Sequence, residues 1–145
     1  MITREQQTEI DIELTKLLFD IDPMNTCCKE NDCFDEYQSI SIEIVSYITI
    51  YLNALQNPDE LNINHAIYVA ILSKFKEYFD DSIPSDDDMN KLRKFLKICF
   101  TNVLNWYTMH HTLKIKGEIK MISTRGLVFI SYFAVVLSII ICVVI

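Results

Sequence analysis

Glycine is almost absent from this chain. Only two glycines occur in its 145 residues, Gly117 and Gly126, and there are only three prolines. Loops that cradle phosphate groups need glycine, and so do many of the tight turns in a β-sandwich. The shortage argues against a phosphate-binding loop and against an all-β fold, and it favours an all-α fold.

Basic residues are also few. The chain has 13 Lys and Arg against 20 Asp and Glu, which gives a net charge of −7. Four of the basic residues lie in residues 113–125 with a single acid, so residues 1–112 are more acidic than the whole chain. An acidic surface repels phosphate backbones, so we expect no nucleic-acid partner.

Charged residues are missing altogether from residues 126–145. A helix of that length spans roughly the 30 Å hydrocarbon core of a bilayer. A buried helix of a globular domain is the alternative, but it normally shows a polar stripe, and here only Ser131, Ser138 and the Tyr132 hydroxyl interrupt the apolar surface. We therefore expect a transmembrane tail anchor at 126–145. The basic linker 113–125 should hold the domain 1–112 on the cytosolic side.

The first half of residues 1–112 shows two helical patterns. Thr3 can cap a first helix, with Glu5 and Gln6 in its opening turn, that ends near Asp22 and Pro23. Residues 24–35 are polar and are expected to form a loop. Residues 39–56 contain many β-favouring types, but their length and spacing favour a helix. The spacing is four, four, three and four residues along one stripe: Ile40, Ile44, Ile48, Tyr51 and Leu55.

Two further helices are expected in the second half. One begins near Asn62 or Asn64 and ends near Phe79, and its apolar residues cover more than one side, which predicts burial on most faces. The other begins at residues 85–88, which supply a cap and negative charge, and four cations occupy its outer side: Lys91, Arg93, Lys94 and Lys97. Its inner side is predicted to contain Leu92, Phe95, Leu96, Cys99, Phe100, Val103, Leu104, Trp106 and Tyr107. The sequence thus predicts a compact bundle around residues 64–79.

The sequence contains no recognisable catalytic constellation. The three histidines, His65, His110 and His111, lack metal-binding spacing with one another. The cluster of Cys27, Cys28 and Cys33 admits a zinc interpretation but lacks paired spacing, so ordinary reduced thiols are favoured. We therefore expect no enzyme activity, no cofactor and no metal. The chain has the features of a binding protein.

A short stretch carries a family resemblance. Residues 63–72 can be laid without gaps on the pattern V-N-W-G-R-I-V-A-F-F, the first homology region of the Bcl-2 family. Asn64, Val69 and Ala70 are identical, and Ala66 keeps a small residue where the family has glycine. His65 stands for the tryptophan, and Ile67 stands for the arginine. With its apolar tail, the chain most resembles the small poxviral apoptosis inhibitors of the myxoma type.

The resemblance implies a fold, a function and a site. It implies a Bcl-2-like helical bundle that inhibits host apoptosis from the cytosolic face of the mitochondrial outer membrane, with the endoplasmic reticulum as the alternative membrane. The partners would be pro-apoptotic Bcl-2 proteins, each laying its amphipathic death helix into a groove. The groove residues would be Ile48, Tyr51, Leu52, Leu55, Ile63, Asn64, Ala66, Ile67 and Ala70. Because Ile67 replaces the family's arginine, the contacts would be mainly apolar.

Other interpretations remain open. Residues 22–39 are shorter than the family's second and third helices, so the groove is either incomplete or completed by a second subunit in a homodimer. A Bcl-2-like domain without a groove would instead block an innate-immune signalling adaptor through an outer helix face. An unrelated tail-anchored structural or trafficking protein is a third possibility. For each residue of the groove taken alone, an ordinary place in the core is the simplest role.

Overall fold

Four α-helices account for most of the chain that the structure describes. The computed structural model describes residues 1–26, residue 33 and residues 37–115, with side chains as far as residue 109. Its helices are Arg4–Ile21 (α1), Gln38–Ala54 (α2), Glu60–Tyr78 (α3) and Asp86–Ile115 (α4). These ranges contain no strand. The all-α prediction is therefore confirmed for the described residues.

The chain divides into two compact units, Met1–Thr101 and Asn102–Ile145. Every buried hydrophobic side chain among the described residues belongs to the first unit. Helix α4 begins in the first unit and ends in the second. It runs three residues into the predicted basic linker 113–125.

Side-chain contacts show that α1 and α2 are antiparallel. At one end of the pair, the Ile2 backbone N–H donates to Asn53 Oδ1 over 2.8 Å. Near the start of α2, the Ser41 hydroxyl lies 2.7 Å from a carboxylate oxygen of Asp11, in the middle of α1. Low residue numbers of one helix thus meet high numbers of the other. Helices that follow one another in the chain commonly pack side by side in opposite directions.

Helices α2, α3 and α4 continue the alternation. Lys74 near the end of α3 forms an ion pair with Glu43 near the start of α2, at 2.7 Å. Lys97 of α4 forms an ion pair with Glu60 at the start of α3, at 2.6 Å. Since each pair joins the beginning of one helix to a later part of its neighbour, consecutive helices of the first unit run in opposite directions.

Helix α1 begins as the sequence predicted. The Thr3 side chain accepts a hydrogen bond from the Gln6 backbone N–H, and the Gln6 side chain accepts one from the Thr3 N–H. This reciprocal capping box satisfies two of the backbone donors that a helix start leaves without partners. The helix ends at Ile21, where Asp22 adopts a left-handed conformation with φ of 39°.

Helix α3 begins earlier than predicted, at Glu60 instead of Asn62 or Asn64. Asp59 is the N-cap: its carboxylate accepts from the Asn62 N–H at 2.8 Å, and Asn62 Oδ1 accepts from the Asp59 N–H at 3.0 Å. The helix therefore begins two residues before Asn62, because its cap is Asp59. Asn62 is the third residue of the helix and completes the capping box.

Replacing Asp59 by Ala should lower the free energy of unfolding by about 1 kcal/mol, because the first turn of α3 loses its cap. Urea unfolding followed by circular dichroism would measure this. The matched control is Asp20→Ala, which removes an exposed carboxylate from the last turn of α1, where it caps nothing. Equal effects of the two substitutions would contradict the capping role of Asp59.

Helix α2 is a helix despite its β-favouring composition, as its length and spacing predicted. Of the predicted stripe, Ile40, Ile44 and Ile48 are buried, while Tyr51 and Leu55 are half-buried. The helix ends at Ala54, and Leu55 already has an extended backbone. Tertiary packing of the isoleucines outweighs their modest intrinsic cost in a helix.

The core receives side chains from all four helices. Its largest completely buried members in α1, α2, α3 and α4 are, in order, Leu14 and Leu18; Ile40, Ile44, Ile48 and Leu52; Ile67, Ile71 and Phe75; and Leu92 and Phe100. The prediction that helix α3 is buried on most faces is wrong, since Leu61 is 74% exposed and Tyr68 is 46% exposed. The four helices share one core and leave part of α3 uncovered.

Helix α4 begins with the predicted cap, because the Ser85 hydroxyl accepts a hydrogen bond from the Asp88 N–H. Fewer residues of α4 are buried than the sequence predicted. Only Met89, Leu92, Leu96 and Phe100 are buried, while the other predicted inner residues are half-buried: Phe95, Cys99, Val103, Leu104, Trp106 and Tyr107. Burial raises the pKa of the Cys99 thiol to about 12.

A polar contact lies between α1 and α2. The Ser41 hydroxyl, which is completely buried, lies within hydrogen-bond distance of both the backbone carbonyl and the carboxylate of Asp11. Desolvation raises the pKa of the Asp11 carboxyl above its ordinary value of 3.8, and the bond from Ser41 offsets part of that effect. The charged form of Asp11 is therefore less stable in the folded protein than in water.

Replacing Asp11 by Asn should stabilise the protein at pH 7 and change its stability little at pH 3. A raised folded-state pKa means that the folded state binds the proton more tightly, so stability falls as the pH rises through that pKa. Asn keeps the oxygen that faces Ser41 but cannot ionise. Thermal melts of wild type, Asp11→Asn and the exposed control Asp20→Asn would measure this, and an equal shift at both pH values would contradict it.

Candidate functional site

The nine predicted groove residues divide into two groups in the structure. Six are buried in the core of the first unit: Ile48, Leu52, Ile63, Ala66, Ile67 and Ala70. Three are half-buried: Tyr51, Leu55 and Asn64. The buried six contact the inside of the bundle, so a ligand would reach them only if the helices separated.

The three half-buried residues come from neighbouring elements. Tyr51 and Leu55 belong to the end of α2 and its C-cap, and Asn64 lies in the second turn of α3. The Tyr51 ring lies with its centre 6.0 Å from that of His65, an exposed residue of α3. Because α2 and α3 are antiparallel, the end of one and the start of the other share a surface.

A second stripe, which contains three apolar or aromatic residues and one histidine, runs along the outside of α3. Leu61, His65, Tyr68 and Leu72 follow one another at spacings of four, three and four residues, which places them on one side of a helix. Leu61, His65 and Tyr68 are exposed and Leu72 is half-buried. These four side chains, with Tyr51 from α2 and Arg93 from α4, are here called the outer α3 surface.

Sequence reasoning missed Leu61 and Tyr68 as possible contacts. The signal was present, because apolar residues cover more of the circumference of α3 than one core face requires. It was interpreted as burial on most faces. A four-helix core covers only the side that carries Ile63, Ile67 and Ala70, so the rest remains accessible.

Arg93 lies at the edge of the outer α3 surface. Its guanidinium carbon is 5.6 Å from the centre of the Tyr68 ring, within range of a cation–π interaction. Nearby, Lys97 is neutralised by Glu60, and the pKa of the Glu60 carboxyl is lowered by that lysine. Arg93 itself forms no ion pair with any residue that the structure describes.

The described side chains do not form a metal centre: no group of three or more His, Cys, Asp or Glu among them is placed to hold an ion. The cysteine pair Cys27 and Cys28 and the histidine pair His110 and His111 lie outside the side chains that the structure describes. What the outer α3 surface offers is apolar contact area, aromatic rings and one cation. These groups suit binding rather than bond-making chemistry.

No helix within the described part of the chain is long and apolar enough to cross a membrane. The predicted tail anchor 126–145 lies outside the described residues, as does most of the basic linker 113–125. Both therefore stay predictions.

No protein-family model, curated protein or solved structure matches the chain. The outer α3 surface is the strongest candidate among the described residues, since it joins exposed apolar side chains to a cation on an otherwise acidic protein.

Substitutions at two nearby residues of α3 can distinguish the exposed side of the helix from its buried side. Leu61→Ser should change the free energy of unfolding by no more than about 0.5 kcal/mol, because Leu61 is already 74% exposed. Ile63→Ser should cost about 3 kcal/mol or more, because Ile63 is 4% exposed and its replacement leaves a cavity and a buried hydroxyl. Urea denaturation would show both, and a large cost at Leu61 would contradict the exposed stripe.

Proposed function

We propose that this protein is a Bcl-2-like, tail-anchored inhibitor of host apoptosis that sequesters the amphipathic death helix of pro-apoptotic Bcl-2 proteins. The observation that carries the proposal is the outer stripe of α3, in which the apolar side chains of Leu61 and Tyr68 are exposed and Leu72 is half-buried. An amphipathic helix presents apolar residues on one side at spacings of three, four and seven, and Leu61, Tyr68 and Leu72 follow this pattern at spacings of seven and four, with His65 between the first two. Two such faces can pack against one another along their length.

The outer α3 surface and the predicted groove adjoin each other. Tyr51, a predicted groove residue, contacts His65 of the outer surface. In this proposal the ligand helix lies along Leu61, His65 and Tyr68, with Tyr51 at its side. The buried groove residues of α3 pack the other side of that helix into the core: Ile63, Ala66, Ile67 and Ala70.

The position that matches the family's arginine supports a mainly apolar mode of binding. Ile67 stands there, and it is 1% exposed. A side chain at that position faces the core, so it could not offer a charge to a ligand. The resemblance of residues 63–72 to the family pattern therefore supports an amphipathic helix as the ligand. It gives less support to contacts with individual groove residues.

The place of action is also part of the proposal. The uncharged residues 126–145 would form the membrane span, and the basic residues 113–125 would keep the domain in the cytosol. The mitochondrial outer membrane is proposed through the family resemblance, with the endoplasmic reticulum membrane as the alternative.

The proposal is tested by binding of fluorescent death-helix peptides to the full chain, carried in phosphatidylcholine nanodiscs, with polarisation as the readout. Wild type should bind at least one peptide with a Kd below about 1 μM, and the double substitution Leu61→Glu with Tyr68→Glu should weaken that binding about tenfold or more, since both side chains belong to the contact. Empty nanodiscs provide the blank.

The control is Ile12→Glu, which adds one charge of the same sign, where the double variant adds two, at an apolar residue of α1 that is 49% exposed and lies off the outer α3 surface. It should leave binding unchanged. Failure of every peptide to bind the folded wild-type protein would contradict sequestration. Equal weakening by the control and the double variant would contradict the location of the site.

One observation favours a second function. Burial of six of the nine groove residues suits a Bcl-2-like domain that has no open groove and acts through an outer helix face. Such a domain would block an innate-immune signalling adaptor instead of a death helix. The same outer α3 surface would then meet a folded partner, and the peptide panel would show no binding.

A further inference from the structure

We propose that the solvent-facing side of α2 is a contact between two copies of this chain, which pair symmetrically through it. The contact centres on residues that follow one another every four positions, here called the α2 ridge: Ile42, Ser46, Ile50 and Ala54. The inference does not rest on the proposed function, since the α2 ridge shares no residue with the outer α3 surface. It also differs from a dimer that completes the predicted groove, because the ridge contains no groove residue.

Helix α2 differs from the other three helices in its lack of charge. Its 17 residues contain one charged side chain, Glu43, and neither Lys nor Arg. Each of the other helices exposes both acidic and basic side chains, such as Glu5 and Lys16 on α1. The exposed residues of α2 are all uncharged: Gln38, Ser39, Ile42, Tyr47, Ile50 and Ala54. Since the outer side of a surface helix normally carries charge, this side of α2 is suited to being covered.

The α2 ridge combines exposed apolar side chains with small residues. Ile50 is 71% exposed and Ile42 is 43% exposed, while Ser46 and Ala54 leave room for another helix to approach. Residues four apart form a ridge along a helix, and two such ridges interlock in the commonest class of helix packing. Two identical ridges can therefore pack about a two-fold axis. We place this axis beside Ile50, the most exposed residue of the ridge, so that Ile50 lies near its counterpart.

The polar side chains on and beside the α2 ridge already have partners within the protein. Three such side chains lie there: Glu43, Ser46 and Asn53. Glu43 forms an ion pair with Lys74 at 2.7 Å. The Ser46 hydroxyl accepts from Gln7 Nε2 at 2.8 Å, and the Asn53 side chain exchanges two hydrogen bonds with the Ile2 backbone, at 2.8 and 3.3 Å. Covering these groups leaves none of them unpaired, which keeps the desolvation cost of association low.

The charge of the protein favours a second copy as the occupant of the α2 ridge. The chain has a net charge of −7, so two copies repel each other where their acidic sides meet, and the repulsion is least where uncharged sides meet. A nucleic acid or an anionic membrane would need cations, which α2 lacks. A basic partner would need an available carboxylate, and Glu43 is neutralised by Lys74. A second α2 ridge supplies the uncharged, apolar complement that remains.

The test measures energy transfer between donor- and acceptor-labelled copies of the full chain in phosphatidylcholine vesicles. Both labels are carried on an N-terminal tag, and lipid is in large excess, so chance proximity gives little transfer. Wild type should show transfer well above that of a random mixture. Ile50→Glu and Ile50→Lys should each weaken the association about tenfold or more, because each copy then places a charge against the same charge of its partner.

Mixing the two variants separates charge repulsion from misfolding. Donor-labelled Ile50→Glu combined with acceptor-labelled Ile50→Lys should restore transfer to at least the wild-type level, since opposite charges then meet across the axis. Loss of the fold in either variant would not be repaired by the other. Recovery in the mixed sample, with little transfer in either variant alone, is therefore the result that the symmetric contact predicts.

Leu61→Glu is the matched control, because Leu61 is 74% exposed and lies on α3, outside the α2 ridge. It adds the same charge as Ile50→Glu and should leave the transfer unchanged. Equal weakening by the two substitutions would assign the contact to an α2 ridge that meets the outer α3 surface of the next copy. Such a head-to-tail contact can build open chains, and it would overturn the symmetric pair.

Four further outcomes would overturn the inference. The first is wild-type transfer no higher than that of a random mixture, and the second is transfer that Ile50→Glu leaves unchanged. The third is failure of the mixed variants to recover transfer. The fourth is energy transfer from labelled wild type to headgroup-labelled lipid that Ile50→Glu abolishes, which would assign the α2 ridge to the membrane surface instead of a second copy.

Discussion

The arrangement of the four helices and of their exposed surfaces depends on one constraint: α3 is apolar on more of its circumference than a four-helix core can cover. One side packs Ile67, Ile71 and Phe75 completely inside the first unit. The antiparallel neighbours α2 and α4 flank that side, as the contacts of Glu43 and Lys97 show. The opposite side must therefore face solvent or a partner, and exposed apolar area of this kind is a usual mark of an interaction surface.

The packing of α3 between α2 and α4 also determines which charged side chains form ion pairs. Glu60 and Glu43 fix the two ends of α3 to α4 and α2, so the lysines that pair with them are already neutralised. Such exposed pairs add little stability, but they set which charges remain for a partner. Arg93 forms no ion pair among the described residues, and it lies over the Tyr68 ring of the outer α3 surface. The exposed apolar side chains and this cation therefore lie on the same few turns of α3 and α4.

The sequence predicted the helices well and the site only in part. Thr3 and Ser85 marked their caps correctly because capping is local. The start of α3 was predicted two residues late, because Asp59 is its cap and Asn62 is the reciprocal partner in the capping box. The groove residues Ile48 and Ile67 lie in the core because a periodic pattern gives the apolar side of a helix but not how far its neighbours cover it. Tyr68 beside Arg93 is a contact between helices, which single-helix periodicity cannot reveal.

The most direct test of the central claim is methyl NMR of the full chain in phosphatidylcholine nanodiscs during titration with a death-helix peptide. Binding to the outer α3 surface predicts shifts at the methyl groups of Leu61 and Leu72, with those of the core residues Ile48 and Ile67 changing little. Large shifts at Ile48 and Ile67 with silent Leu61 would mean that the helices part to open a groove, and they would contradict the account.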